Sequence, residues 1–329
     1  MTAFVPVPQG HISDEGKGNM AKRRLLERIA RMYYILDLNQ QQIAEQLGIG
    51  RSSVARLLNQ ARERGVVHFQ IDSDPDSYRC HQLERELLNQ TRLKDCVVFQ
   101  NGGDTGYSFE TLASQYLNTV LPFTGTIGLG WGKTLYAVGS QIHLCDPRPG
   151  LKVLQLSGGS GTKEEYVPAT SVVQLWTRAL RAKPYYLPAP AVASTAESRK
   201  RFLEDPSIGA VVDELKKVSV AIVGIGHTGE DASIITSRLI PDLTSDTLSA
   251  CSVGDVILHF YDENGNFSFD DLSERVIGAS REDFLRINLR IGIAYGENKI
   301  RAIVGALRGD LVHILITTEA TAEALVRAI

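Results

Sequence analysis

The sequence is poor in the residues that build the simplest functional sites. Its four cysteines, Cys80, Cys96, Cys145 and Cys251, stand far apart, with no Cys-x-x-Cys pair and no Cys/His cluster at ligand spacing. That pattern argues against a zinc site, and no metal or cofactor is expected. Free thiols in a chain without an export signal predict a cytoplasmic protein. Long apolar runs are also lacking. The longest uncharged stretch, Thr111 to Gly132, holds Ser114, Gln115, Asn118, Pro122 and four glycines, whereas a membrane span needs about 20 mostly apolar residues. The opening MTAFVPVPQGHISDEGKGN has no basic start followed by an apolar core, so it does not read as a signal peptide. Its polar, Gly- and Pro-bearing composition predicts a disordered leader over 1–19.

What is present suits two domains, since 329 residues exceed one ordinary core. The net charge of -3 hides an asymmetry: Met20 to His68 carries nine Lys/Arg against four acids. A basic module on an acidic body implies that the module alone meets a polyanion.

Spacing gives that module a shape. Lys22 to Leu36 is helical in pattern, with Leu25, Leu26, Ile29, Met32 and Tyr33 on one stripe. In the next stretch Ile43, Ala44 and Leu47 recur at helical spacing, Gly48 follows, and Val54, Leu57 and Leu58 form the inner stripe of another helix. A small residue where two helices cross, a glycine four residues later and an apolar return are the arithmetic of a helix-turn-helix over 20–72. Ser52 or a neighbour is expected to cap the second helix. Gln41 and Gln42 before the first helix, then Arg51, Ser52, Ser53 and Arg56, are left outward as candidates for phosphates and base edges of double-stranded DNA. VVHFQID after Gly65 alternates toward a strand, as a small wing does. Residues 73–94 read as a linker helix with Leu83, Leu87 and Leu88 on one side, open to packing on the body or on another subunit.

From Asp95 to Ile329 strands and helices alternate, the signature of a doubly wound α/β domain. Several strands end in glycine: Gly130 and Gly132, Gly158 and Gly159, Gly224 and Gly226, Gly296. Ligands gather at the carboxyl ends of such strands, where a following helix N-terminus offers free amides. Lys133 and Thr134 follow Gly132 at a helix start. Lys299 lies three residues after Gly296, where a cation sits well beside a helix dipole only if it meets an anion. GLGWGKT lacks the spacing of the nucleotide P-loop.

In order along the chain, QQIAEQLGIGRSSVARLLNQARERGVV, GLGWGKTL, LQLSGG, VGIG, SVGD, GENKIRAIVGAL and ITTEATAEAL resemble the SorC/DeoR-type sugar-responsive regulators, from about Lys22 to Ile329. The resemblance implies a C-terminal domain similar to sugar-phosphate isomerases and reused as a sensor. It also implies a homotetramer and a phosphorylated sugar as effector. Carried over residue by residue, the effector positions are Gly132, Lys133 and Thr134, then Ser157 with Gly158 and Gly159, Asp255 near a sugar hydroxyl, and Lys299 at a phosphate. Some relatives carry a basic residue immediately before the Gly-Gly pair. Ser157 in that place removes an amine that can bond to an aldehyde, so binding is expected to be noncovalent. The reading is a transcriptional regulator of a carbohydrate catabolic operon. The alternative, an active sugar-phosphate isomerase with an appended DNA-binding domain, needs a general base; Asp255 and Glu297 are candidates without a recognisable acid/base partner.

Overall fold

The computed structural model describes residues 14–67, 75–100, 107–142, 147–159, 167–240 and 243–329. The predicted wing from 68 onward, the leader over 1–13 and Cys145 lie outside them. The chain divides into two compact units, Met1–Ser73 and Asp74–Ile329.

The first unit holds α1 (Asp14–Tyr34), α2 (Gln40–Leu47) and α3 (Arg51–Glu63). Helix α1 starts inside the stretch read as a leader. The glycines at 16 and 18 that argued against a helix cost it only about 1 kcal/mol each. Asn39 caps α2 by accepting from the Gln41 and Gln42 amides, and the Gln42 side chain returns a bond to the Asn39 amide, a reciprocal box. Gly48 closes α2 at φ 65, its N–H donating to the Ala44 carbonyl. Ile29, Met32, Ile43, Ala44, Val54 and Leu58 make one core, and Leu26, Ala30 and Ala61 a second, against which Val66 and Val67 pack. Leu25, assigned to the inner stripe, is 40% exposed; the face turns through Leu26 and Ala30 instead.

The second unit is built on a seven-stranded sheet: β1 (Asp95–Phe99), β2 (Thr124–Leu129), β3 (Gly150–Gln155), β4 (Lys183–Tyr185), β5 (Val220–Gly224), β9 (Leu289–Ile293) and β10 (Ile314–Thr318). The order is β1-β10-β9-β5-β2-β3-β4 and every pairing is parallel. Both faces are buried, which is why its strands are continuous apolar runs. On β5, Val220 and Ile222 join the core with Ile127, Trp176 and Ile291, while Ala221 and Val223 join the opposite core with Val98, Ile303 and Leu315. A small antiparallel sheet, β6 (Gly226–His227), β7 (Gly254–Val256) and β8 (His259–Tyr261), grows from the end of β5.

The predicted linker is part of this unit. A short 3-10 turn, Pro75–Tyr78, leads to the helix His81–Gln90. Leu87 is fully buried in the body's core, with Leu83 and Leu88 packed beside it. Glu84, 4% exposed, accepts from Arg79 Nε at 2.8 Å and from the Val98 amide of β1 at 2.9 Å. A buried carboxylate bonded to the sheet ties this helix down; the leucine stripe alone did not reveal what it packs on.

Candidate functional site

Within the seven-stranded sheet β2 is followed by β3 on one side and β5 by β9 on the other, so the neighbours β2 and β5 flank the topological switch point. Beyond β2, Gly130 and Trp131 lead to Gly132, whose φ of 119 makes it the sharp entry to the helix Lys133–Ser140. Beyond β9, Gly296 leads through Glu297–Lys299 into the helix Ile300–Arg308. These turns and the small sheet enclose a cavity of about 440 Å³. Of the predicted effector residues, Gly132, Lys133, Thr134, Asp255 and Lys299 line it.

Asp255 sits on β7 opposite Gly226 of β6. A Cβ on Gly226 would stand 1.9 Å from Asp255 Oδ1, so a larger residue there would push this carboxylate from its place. The reversal from β7 to β8 is Ile257–Leu258, at φ 46 and 71. A left-handed β-branched residue is an outlier and each such residue costs roughly 1–2 kcal/mol. The Leu258 amide donates to Asp255 Oδ2 at 3.1 Å, which helps to hold the turn. Because both turn residues are apolar, no turn signal marked them in the sequence. The DENG reversal, Asp262–Gly265, follows β8 and leads back to Phe267, which bridges to Tyr261.

Burial pushes the Asp255 carboxyl up to about 6, opposed by the Leu258 amide and the Lys299 charge. Burial pushes the Lys299 ammonium down, opposed by Asp255 and Asp231. Linkage fixes the consequence. A carboxyl raised in the folded state favours folding when protonated, and that advantage is lost as pH rises from about 4 through about 6. Asp255→Asn is therefore expected to stabilise the ligand-free protein at pH 7.5 by up to about 3 kcal/mol. The gain should vanish near pH 4. Denaturant titrations at the two pH values read it; an equal effect at both would remove the charge from the explanation.

Sequence reasoning missed His227, Asp231 and Asn298, which also line the cavity. His227, 8% exposed, accepts from the Gly229 amide at Nδ1, and Asn298 Nδ2 lies 3.3 Å from its Nε2. Nε2 faces Asp231 Oδ1 at 3.8 Å, and Asn298 Nδ2 donates to Asp231 Oδ2 at 3.0 Å. The available signals were a histidine directly after the VGIG strand end and an asparagine just before Lys299.

The Ser157–Gly159 turn is not brought into the cavity. The Gly158 amide donates to the Ile277 carbonyl at 2.8 Å and the Gly159 amide to Ala189 at 3.0 Å. Ser157 is buried and bridges to Gly278. These amides are committed to backbone partners rather than free for an anion.

In the first unit Arg51, Ser52 and Arg56 are exposed on α3 and Ser53 is half-buried. The cap of α3 is Gly50, not Ser52, and no side chain closes that end, so the dipole's positive pole is open to a phosphate. Gln41 and Gln42 are exposed but lie in the first turn of α2 rather than before it. Gln42 is tied into the capping box, and Gln41 Nε2 donates to Glu45 at 3.0 Å.

A helix-turn-helix with an open recognition-helix end, carried on one chain with an α/β unit that has a polar cavity at its switch point, defines a DNA-binding regulator with a ligand-binding domain. The family model described as "Putative sugar-binding domain" matches residues 76–327, and a Crp-like helix-turn-helix domain matches 21–79. The chain belongs to that sugar-binding domain family. It is 29% identical over 309 residues to the deoxyribonucleoside regulator of Bacillus subtilis, covering 93% of this chain and 98% of that protein. It is 28% identical over 323 residues to the transcriptional regulator LsrR of Escherichia coli, covering 96% and 98%. The crystal structure of the full-length sorbitol operon regulator SorC from Klebsiella pneumoniae superposes with a TM-score of 0.70 at 28% identity, over 92% of this chain and 98% of that one. These relatives are regulators rather than enzymes, and so is this chain: a DNA-binding transcriptional regulator with a sugar effector. Among the described residues no helix is long and apolar enough to cross a membrane.

Proposed function

We propose that the cavity binds a phosphorylated sugar, and that its occupancy controls how α3 holds an operator of a carbohydrate catabolic operon. The observation that carries this reading is the convergence of Lys133, Thr134 and Lys299 with Asp255 and Asp231 on one cavity at the carboxyl ends of the strands. Ammonium groups and first-turn amides suit a phosphate, and carboxylates suit sugar hydroxyls. In this reading Lys133, Thr134 and Lys299 hold phosphate and Asp255 a hydroxyl. Ser157, Gly158 and Gly159 brace the neighbouring strand end without touching ligand. A thermal-shift screen of the full chain against phosphorylated sugars tests it, because a ligand that binds only the native state raises the melting point. No shift with any member at millimolar concentration, in a chain that binds its operator, sinks the reading.

On the DNA side, Arg51, Ser52, Ser53 and Arg56 reach the major groove and Gln41 and Gln42 its flanking backbone. Arg51→Ala and Arg56→Ala are each expected to weaken operator binding by roughly 1–3 kcal/mol where a base contact is lost, or to reduce the salt slope where a phosphate contact is lost. Both side chains are exposed, so the melting temperature should hold. A double variant with unchanged affinity and salt dependence removes α3 from the groove.

A single helix-turn-helix makes few base contacts, and useful specificity needs two half-sites. We infer a cytoplasmic homotetramer. Sedimentation of a stable monomer at micromolar concentration, with and without DNA, contradicts it.

A further inference from the structure

We infer a second anion-binding site in the α/β unit, separate from the effector cavity, in which Arg199 and Arg281 take a phosphate group. Its recess has a volume of about 340 Å³ and shares no lining residue with the first cavity. That volume is within the range of small-molecule sites, about 300–1,000 Å³. The two sites share the β7–β8 hairpin: Asp255 on β7 lines one, and His259 at the start of β8 lines the other.

Two guanidinium groups each keep a donor without an acceptor among the described residues. Arg199 donates from Nε to the Val276 carbonyl at 2.6 Å, and its terminal amino groups have no acceptor among the described residues. Arg281 is fixed more firmly. It stacks on Phe267 at 4.9 Å, pairs through NH1 with Asp270 at 2.5 Å, and donates through NH2 to the Ser268 carbonyl. Yet its Nε is buried with no hydrogen-bond partner. A buried charged donor left unmet costs more than the 1–3 kcal/mol or so typical of a neutral one, and the chemistry that meets a guanidinium fork is an oxyanion.

The rest of the recess favours an anion. Glu282 at its rim is drawn toward Arg286, 3.6 Å away. The Ser280 hydroxyl donates to Asp283 at 2.7 Å, so the Arg199 terminal amino groups and Arg281 Nε are left as the donors still without an acceptor among the described residues. His259 is 1% exposed and lies 2.9 Å from the Ala279 carbonyl through Nε2 and 3.2 Å from Ser273 Oγ through Nδ1. It is held neutral, pushed down to about 4 by burial first and then by the charges of Arg281 and Arg199. That ring therefore senses the positive potential of the recess. An anion bound between the arginines would relieve the potential and perturb the ring.

The ring supplies a reading specific to this site. Full-length protein labelled with 13C at histidine is titrated with inorganic phosphate at pH 7, and the His259 signal is identified as the one lost in His259→Gln. The expected result is a saturable shift of that signal in the parent and in Lys299→Ala, whose first cavity is impaired. Arg199→Gln should weaken the titration at least tenfold, and Arg199→Lys, which keeps the charge without the fork, should weaken it less. A parallel titration with glucose 6-phosphate separates the sources: tighter binding than phosphate assigns the recess to an ester, weaker binding to the free ion. A His259 signal unmoved by phosphate in the parent, moved only when Lys299 is present, or moved equally in Arg199→Gln overturns the inference. Retention of the parent's melting temperature in Arg199→Gln establishes that the loss is local.

Discussion

Lys299→Ala is expected to weaken binding of a phosphorylated sugar tenfold to a hundredfold while leaving ligand-free operator affinity unchanged. Lys299 lines the cavity one residue before the helix Ile300–Arg308. There its charge opposes the helix dipole and is disfavoured by burial, with Asp255 and Asp231 as the compensating charges. A cation kept under those conditions is poised for an anion. Removing it deletes one charge-assisted hydrogen bond, worth roughly 1.5–3 kcal/mol. The residues proposed to read the operator lie in the other unit, so calorimetry with ligand and gel shifts without it should separate. The matching unphosphorylated sugar is the sharper control. If the parent binds it as tightly as the ester, neither Lys299 nor Lys133 anchors a phosphate.

Much of this arrangement was legible because local spacing determined it. Ala44 and Gly48 fixed the helix-turn-helix, and the structure places Ala44 in the core and Gly48 at the end of α2. Lys133 and Lys299 each follow a glycine at a strand end, a pattern carried within a few residues. What was not legible depends on pairing between distant segments. Asp231 and His227 reach the cavity because β5 continues into β6 and β6 pairs with β7, a partnership that no local pattern announces. Ile257–Leu258 turns the chain through two apolar residues in a left-handed conformation, where composition offers no turn signal. The leucines of the helix His81–Gln90 showed an apolar face but not its partner, which is decided by Glu84 bonding to Val98 of β1. The same limit explains the LQLSGG turn: its glycines mark a close approach in both readings, and only the tertiary structure tells whether ligand or backbone approaches.

Gly158→Ala decides between those two approaches. Its expected effect is on stability. A Cβ at 158 would lie 2.3 Å from the Pro190 carbonyl oxygen and 2.5 Å from that of Ala189. Neither is the yielding end of a flexible side chain. The Ala189 carbonyl already accepts from the Gly159 amide, and the Ala191 carbonyl from Ile277 at 2.9 Å, so the segment is held on both sides. Overpacking typically costs 1–3 kcal/mol and occasionally more; against fixed backbone we expect about 3 kcal/mol or above. For a unit of this size that lowers the melting temperature by roughly 6–12 °C. Ser157→Ala supplies the contrast. The Ser157 hydroxyl is buried without a hydrogen-bond partner among the described residues, so removing it should leave stability unchanged or slightly raised. Effector affinity in Ser157→Ala should match the parent, because the turn faces the segments 187–193 and 276–279 rather than the cavity. The opposite pattern, Gly158→Ala melting like the parent while either variant loses tenfold or more in sugar-phosphate affinity, returns this turn to the ligand and displaces the site geometry proposed for Lys133, Asp255 and Lys299.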